Sequence, residues 1–104
     1  MEVRFSNVYL EQLYTGIEVK GKPKYQEYIV EKFIKRVELL KQVENSKELV
    51  KFKSLNFERL KGDKKDVYSI RIDKQYRLEF GLVNDLISLI EIVIIEDLSK
   101  HYEK

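Results

Sequence analysis

The chain has no cysteine, one histidine, one proline and four glycines in 104 residues, and each scarcity removes a class of function. Without thiols there are no disulfides and no thiolate metal sites, which fits a reducing compartment. A single histidine excludes a metal centre built from several imidazoles. With no cysteine and no nucleophile-elbow sequence, a serine- or cysteine-type triad is not supported either. Gly-rich phosphate loops, nucleotide fingerprints and carboxylate clusters suited to a divalent metal are also missing, so neither metal nor cofactor is expected. No apolar run reaches membrane-spanning length, and the opening MEVRFSNVYLEQ lacks a basic segment followed by an apolar core. A cytoplasmic location is therefore the default expectation. The length suits one domain, residues 1–104, with no internal repeat, linker or low-complexity stretch; such a domain buries about two-thirds of its unfolded surface.

What is present is charge, unevenly spread. The formal net charge is only +2, but residues 51–80 hold nine Lys/Arg against five Asp/Glu, whereas residues 1–50 hold nine against eight and residues 81–104 two against five. A basic patch focused on a near-neutral protein fits an anionic partner engaged at one place. The plainer alternative is a solvated lysine-rich surface.

Hydrophobic periodicity places the elements. Val3 and Phe5 alternate with polar neighbours in a short opening strand, Glu2–Ser6. Val8–Tyr14 suits a brief helix closed by Gly16 as a left-handed cap. After the break Gly21-Lys22-Pro23, the proline fits the first turn of a long helix running to about Glu44. Its apolar stripe is Tyr25, Ile29, Phe33, Val37 and Leu40, with Val30 and Ile34 beside it. Glu27, Glu31, Lys35, Glu38 and Lys41 form the outer face, where helical spacing explains them as surface pairs. Asn45 and Glu48 offer a capping box for a short turn, Ser46–Phe52. Val83-Asn84-Asp85 reads as a turn, and the nearly continuous apolar run Leu86–Ile95 as a central strand covered on both faces. The expected architecture is α+β, an N-terminal strand and helices packed on a mostly antiparallel sheet.

The most informative stretch is Leu55–Phe80, LNFERLKGDKKDVYSIRIDKQYRLEF. Tyr68, Ile70 and Ile72 alternate with Ser69 and Arg71; Leu78, Phe80 and Leu82 alternate with Arg77 and Glu79. This is a hairpin around the turn Asp73-Lys74-Gln75. A three-residue loop sets Ile72 against Tyr76 and Arg71 against Arg77, on the side opposite Ile70 and Leu78. Like charges facing each other across a ladder are destabilising. Such a pair fits retention for an anion, for which the guanidinium fork is suited to phosphate oxygens; the alternative is that each arginine pairs with Glu79 or Asp73. Lys61-Gly62-Asp63 fits a tight turn with Gly62 at positive φ, in which a lone lysine is otherwise simply solvated.

This stretch, with the ending IIEDLSKHYEK, closely resembles the HigB branch of the RelE/ParE superfamily of bacterial toxin–antitoxin systems. Those proteins carry an "LKGD…YSIRI…YRLEF" core and a terminal strand followed by a His/Tyr tail. The resemblance runs from about Tyr14 to the end. It implies a compact α/β toxin that cuts messenger RNA on the ribosome and is held inactive by an antitoxin encoded beside it, expected to be a helix-turn-helix, HigA-like protein.

The same resemblance points to site residues. It favours Arg71 and Arg77 as binding and catalytic groups, and makes Lys61 the lysine of the "LKGD" motif. His101 and Tyr102 correspond to a His and a Tyr at the rim of the RNA cleft, although many relatives end Asp-Tyr-His where this chain has Ser99-Lys100-His101-Tyr102. A lone histidine near a C-terminus is otherwise a surface residue. Glu58 falls where some relatives carry a second histidine; as a carboxylate it suits a base, or on a turn it balances Arg59 and Lys61. Lys64 and Lys100 join Arg71, Arg77 and Lys61 as substrate-binding candidates. The implied reaction is metal-independent RNA cleavage by 2′-hydroxyl attack. His101 then transfers a proton, the arginines and Lys61 hold charge, and Tyr102 stacks on a base. Two other outcomes stand beside it: a DNA gyrase poison of the ParE kind, and an inactive relative that binds only its antitoxin.

Overall fold

The computed structural model describes residues 1–64 and 66–100. Strand β1 (Glu2–Phe5) leads into helix α1 (Val8–Thr15), and a long helix α2 (Glu27–Gln42) follows. Two short 3₁₀ turns, Ser46–Lys51 and Lys53–Leu55, precede strands β2 (Glu58–Arg59), β3 (Val67–Arg71), β4 (Tyr76–Asn84) and β5 (Glu91–Lys100). They form one sheet in the order β1-β5-β4-β3-β2, in which β1 runs parallel to β5 and every other pair is antiparallel. This is the α+β arrangement read from the sequence.

The α2 stripe does what its spacing requires. Ile29, Phe33, Val37 and Leu40 are at most 1 % exposed and pack with Ile70, Leu78, Phe80, Val93, Ile95 and Leu98 of the sheet in one core. Burying each such side chain is worth about 1.5–3 kcal/mol. α1 starts on Asn7, whose Oδ1 accepts from Leu10 N while its Nδ2 donates to Glu96 O. Its end is the expected left-handed Gly16, at φ 79°.

Several expectations need correction. α2 begins at Glu27 rather than near Pro23. Tyr25, expected on the helical stripe, lies in the bend before the helix, where its hydroxyl donates to Leu98 O at 2.9 Å and its ring meets those of Tyr9 and Tyr76 at 6.2 and 5.9 Å. That tertiary anchor outweighs the helix-starting preference of Pro23. The capping box is also altered: Asn45 Oδ1 accepts from Lys47 N, and Glu48 reaches Glu44 N instead of the cap residue.

The largest difference is at the last strand. Val83 and Asn84 extend β4, and residues 85–90 form the turn, so the strand begins at Glu91 rather than Leu86. Asp85 explains why. Its carboxylate accepts from Ile87 N and Ser88 N, and its backbone bonds to Ile90 O and Leu89 N close the turn. An aspartate that takes backbone donors competes directly with strand pairing. The backbone bond to Ile87, with help from Ser88, in turn holds the Asp85 carboxyl below its usual range. Apolar composition mimicked a buried strand in a segment where Leu86, Ile87 and Leu89 are at least 85 % exposed. β5 is an interior strand between β1 and β4, only partly buried along its length rather than covered on both faces, and it continues through polar residues to Lys100, with a bulge opposite Glu79/Phe80 that makes Glu96 the extra residue.

Candidate functional site

Alternation along β3, β4 and β5 divides the sheet chemically. Ile70, Leu78 and Leu98 face the helices, while Ser69, Arg71, Arg77, Glu79, Asp97 and Ser99 take the opposite side by strand period and register. The hairpin turn sets that register. Asp73 Oδ1 accepts from Gln75 N and Tyr76 N, both at 2.8 Å, and Ile72 N donates to Tyr76 O at 2.9 Å. Arg71 therefore stands opposite Arg77, as the loop length predicts.

β2 was not anticipated, and it moves Glu58 from a turn to a sheet edge opposite Ser69. The preceding Phe57 fixes this edge from the other side, its ring stacked on Tyr68 at 5.7 Å and Phe80 at 6.2 Å. The result is a concave pocket lined by Asn56, Glu58, Ser69, Arg71, Asp73, Tyr76 and Arg77. Asn56 reaches the pocket from a left-handed backbone, φ 47°, a conformation that asparagine tolerates better than most residues.

Beside the pocket lies a charged cluster. Glu79 is only 3 % exposed. Lys64 Nζ contacts both its carboxylate oxygens at 2.9 Å, Ser99 Oγ donates to Oε2, and Arg77 Nε lies 3.4 Å from both Oε2 and Ser99 Oγ. Burial pushes the Glu79 carboxyl up, but the hydrogen bonds from Ser99 and Lys64 and the charges of Lys64 and Arg77 outweigh it and hold the pKa below its usual value. Arg77 thus pairs with Glu79, as the plainer reading allowed, and still lines the pocket. The Arg71 carbonyl accepts from Arg36 Nε at 3.0 Å, which ties the site to α2.

The structure brings Glu58, Arg71 and Arg77 together in the pocket. Lys61 is exposed beside the Gly62–Lys64 turn, where Gly62 has the expected positive φ of 76°, but it is not among the lining residues. Lys64 is engaged with Glu79. Lys100 ends β5 opposite Tyr76, with Nζ 5.8 Å from that ring's centroid. His101 and Tyr102 lie outside the described residues. Sequence reasoning missed Asn56, Ser69, Tyr76 and Ser99 as members of the site. For Ser69 the signal was present, because the period of two places it on the side of Arg71; the others depend on pairing across the fold. Two guanidinium groups beside a carboxylate can grip an anion with planar oxygens and offer it a proton acceptor.

Residues 3–92 match the family model described as "RelE-like toxin of type II toxin-antitoxin system HigB". No curated protein sequence matches significantly. Among solved structures, the chain is similar to a YoeB/ParE toxin from Agrobacterium tumefaciens, with a TM-score of 0.60 and 16 % identity over 98 % of this chain and 100 % of that one. At that identity the likeness concerns the fold.

Proposed function

Because the chain belongs to the HigB-like family of RelE-like type II toxins, whose members are made with a cognate antitoxin, we propose that it is a ribosome-dependent endoribonuclease that cuts translated messages. The observation that carries this reading is the pocket that joins Arg71, Arg77 and Glu58 on the open side of the sheet. In the proposed reaction the 2′-hydroxyl gives up its proton and its oxygen bonds to the adjacent phosphorus. The bond from phosphorus to the 5′-oxygen breaks, and that oxygen takes a proton, leaving a 2′,3′-cyclic phosphate and a 5′-hydroxyl. Arg71 and Arg77 hold the charge that builds on the phosphorane. Glu58 and His101 are the proton-transfer groups; imidazole titrates near neutrality and suits either direction. Lys61 and Lys100 steer the RNA backbone, and Tyr102 stacks on a base. Sparse acid–base equipment suits an enzyme whose substrate is oriented by a partner, here the ribosome.

The antitoxin in this reading is a HigA-like helix-turn-helix protein that masks the arginines with an acidic or amphipathic segment. Unchanged antitoxin affinity in R71E/R77E would replace charge masking by steric exclusion from the ribosome.

Primer extension on RNA from cells expressing the chain alone tests the activity. New 5′ ends within reading frames are expected; intact messages with double-strand-broken DNA would move the protein to the gyrase-poison class. His101→Ala should slow cleavage by roughly 10²- to 10⁴-fold with binding largely kept. A wild-type rate in that variant would leave Glu58 and the ribosome's own groups to move the protons.

A further inference from the structure

We propose that Glu79 is a positioning residue: a buried carboxylate that holds Arg77, the turn after Lys61 and the end of β5 in fixed relation, and so sets the geometry of the pocket. Its catalytic consequence rests on the cleavage reading above; its structural consequence does not.

A carboxylate on the open side of a sheet has no need to be buried, and burying one is unfavourable unless every oxygen is satisfied. Glu79 meets that condition with hydrogen bonds from Lys64 and Ser99 and an ion pair with Arg77, partners from three separate pieces of chain. Lys64 comes from the Gly62–Lys64 turn, Arg77 from two residues earlier on the same face of β4, and Ser99 from β5. Replacing a buried charge cluster by packed apolar groups is often neutral or stabilising, so stability alone is a weak account of this arrangement. Geometry is a better one.

Arginine is a long side chain with a planar head, and an anion is gripped well only when that plane is correctly turned. Contacts of Glu79 Oε2 and Ser99 Oγ with Nε, both 3.4 Å, hold one edge of the Arg77 plane while the residue lines the pocket. Lys64, engaged through both carboxylate oxygens, pins the turn that follows Lys61. Lys64 thereby acts on the site through Glu79 and not as a direct phosphate contact. Ser99 fixes β5 two residues before His101. Arg77 and the turn that follows Lys61 are thus tied to one carboxylate.

Glu79→Gln tests this, because it keeps the shape and removes the charge. In the free wild-type chain the Arg77 Nε–H should give a distinct, slowly exchanging nitrogen-15 NMR signal. The variant should shift that signal and speed its exchange, along with the backbone amides of residues 61–64. Unchanged signals at both places would overturn the proposal whether or not the protein cuts RNA. With translating ribosomes, Glu79→Gln should lower kcat by about 10- to 100-fold, the scale of a small misplacement of catalytic groups, with KM within about threefold. In an Arg77→Ala background the same change should cost far less, since its main target is already gone; a full additional loss would mean that Glu79 acts only through general stability. Should Glu79→Gln fail to fold, Ser99→Ala removes one contact and should show the same pattern in weaker form; wild-type kcat and an unshifted Arg77 signal would then count against the proposal. If the wild-type chain cuts no message, the nuclease reading fails and the NMR arm alone decides this one.

Discussion

The two faces of the sheet are made by alternate residues of the same strands and have opposite chemistry. Under the helices, Ile70, Leu78, Phe80 and Ile95 are completely buried against α2. On the other side the neighbours of those residues are Ser69, Arg71, Arg77 and Glu79, of which Arg77 and Glu79 form an ion pair and bond in turn to Ser99 and Lys64. The apolar face gains its stability from area removed from water, which is insensitive to small changes of angle. The polar face depends on direction: a guanidinium beside a carboxylate acts only in one arrangement. The covered face therefore makes the fold, and so lets the open face keep two arginines opposite each other despite their repulsion.

Changes that separate the faces should have separable effects. The largest is expected from Phe33→Ala, which opens a hole under the centre of the sheet and should lower unfolding free energy by about 3–5 kcal/mol. Measured by urea unfolding, that loss should leave cleavage per folded molecule near wild type. A change of chemistry in the folded fraction would mean that the faces are not separable.

Arg71→Ala should do the reverse. Stability should stay within about 0.5 kcal/mol of wild type, while the salt dependence of ribosome or RNA binding should fall by about one unit of slope for the lost phosphate contact. An unchanged slope would remove Arg71 from the phosphate-binding set.

Two smaller effects are expected from pH. Glu79 has a lowered folded-state pKa, so its contribution is fully present above the ordinary glutamate range and is lost as pH falls through the lowered value. Wild type should therefore lose urea resistance on acidification more steeply than Glu79→Gln; parallel curves would deny the carboxylate this role. Tyr25 carries the opposite sign. Burial, the Asp97 charge and the neighbouring Tyr76 and Tyr9 push its pKa up to about 12. Its contribution is present below the ordinary tyrosine pKa, about 10, and is lost as pH rises through the raised value. Tyrosinate absorbance should show a late-ionising component that Tyr25→Phe removes.

How much of this was legible in the sequence followed from how local each determinant is. The α2 stripe, the Gly16 and Gly62 conformations and the Arg71–Arg77 register each depend on a few neighbouring residues, and periodicity or turn length specified them. The run Leu86–Ile90 misled because a single aspartate captures its backbone, while its side chains have the composition of a core. The start of α2 was displaced by Tyr25, whose partner is 73 residues away. The site was half visible: alternation groups Ser69 with the arginines of the pocket and Glu79 with the cluster beside it, whereas Asn56 and Tyr76 join the pocket, and Ser99 the cluster, only through β2, the hairpin end and β5. The sequence offers Glu79 as one partner of an arginine, but Lys64, Arg77 and Ser99 converge on it only in the fold.

The division of labour between the faces is tested most directly by single-turnover cleavage of a programmed message on translating ribosomes, comparing wild type with Arg77→Ala at matched folded concentration and with unfolding midpoints measured on the same samples. The prediction is a fall in the cleavage rate of about 10²-fold or more at equal folded concentration, the scale of losing one preorganised charge partner of the transition state, well beyond what the lower midpoint expected from removing a partner of the buried Glu79 carboxylate accounts for. A variant that cuts at the wild-type rate, or whose rate falls only as its midpoint falls, would contradict the assignment of the chemistry to the open face.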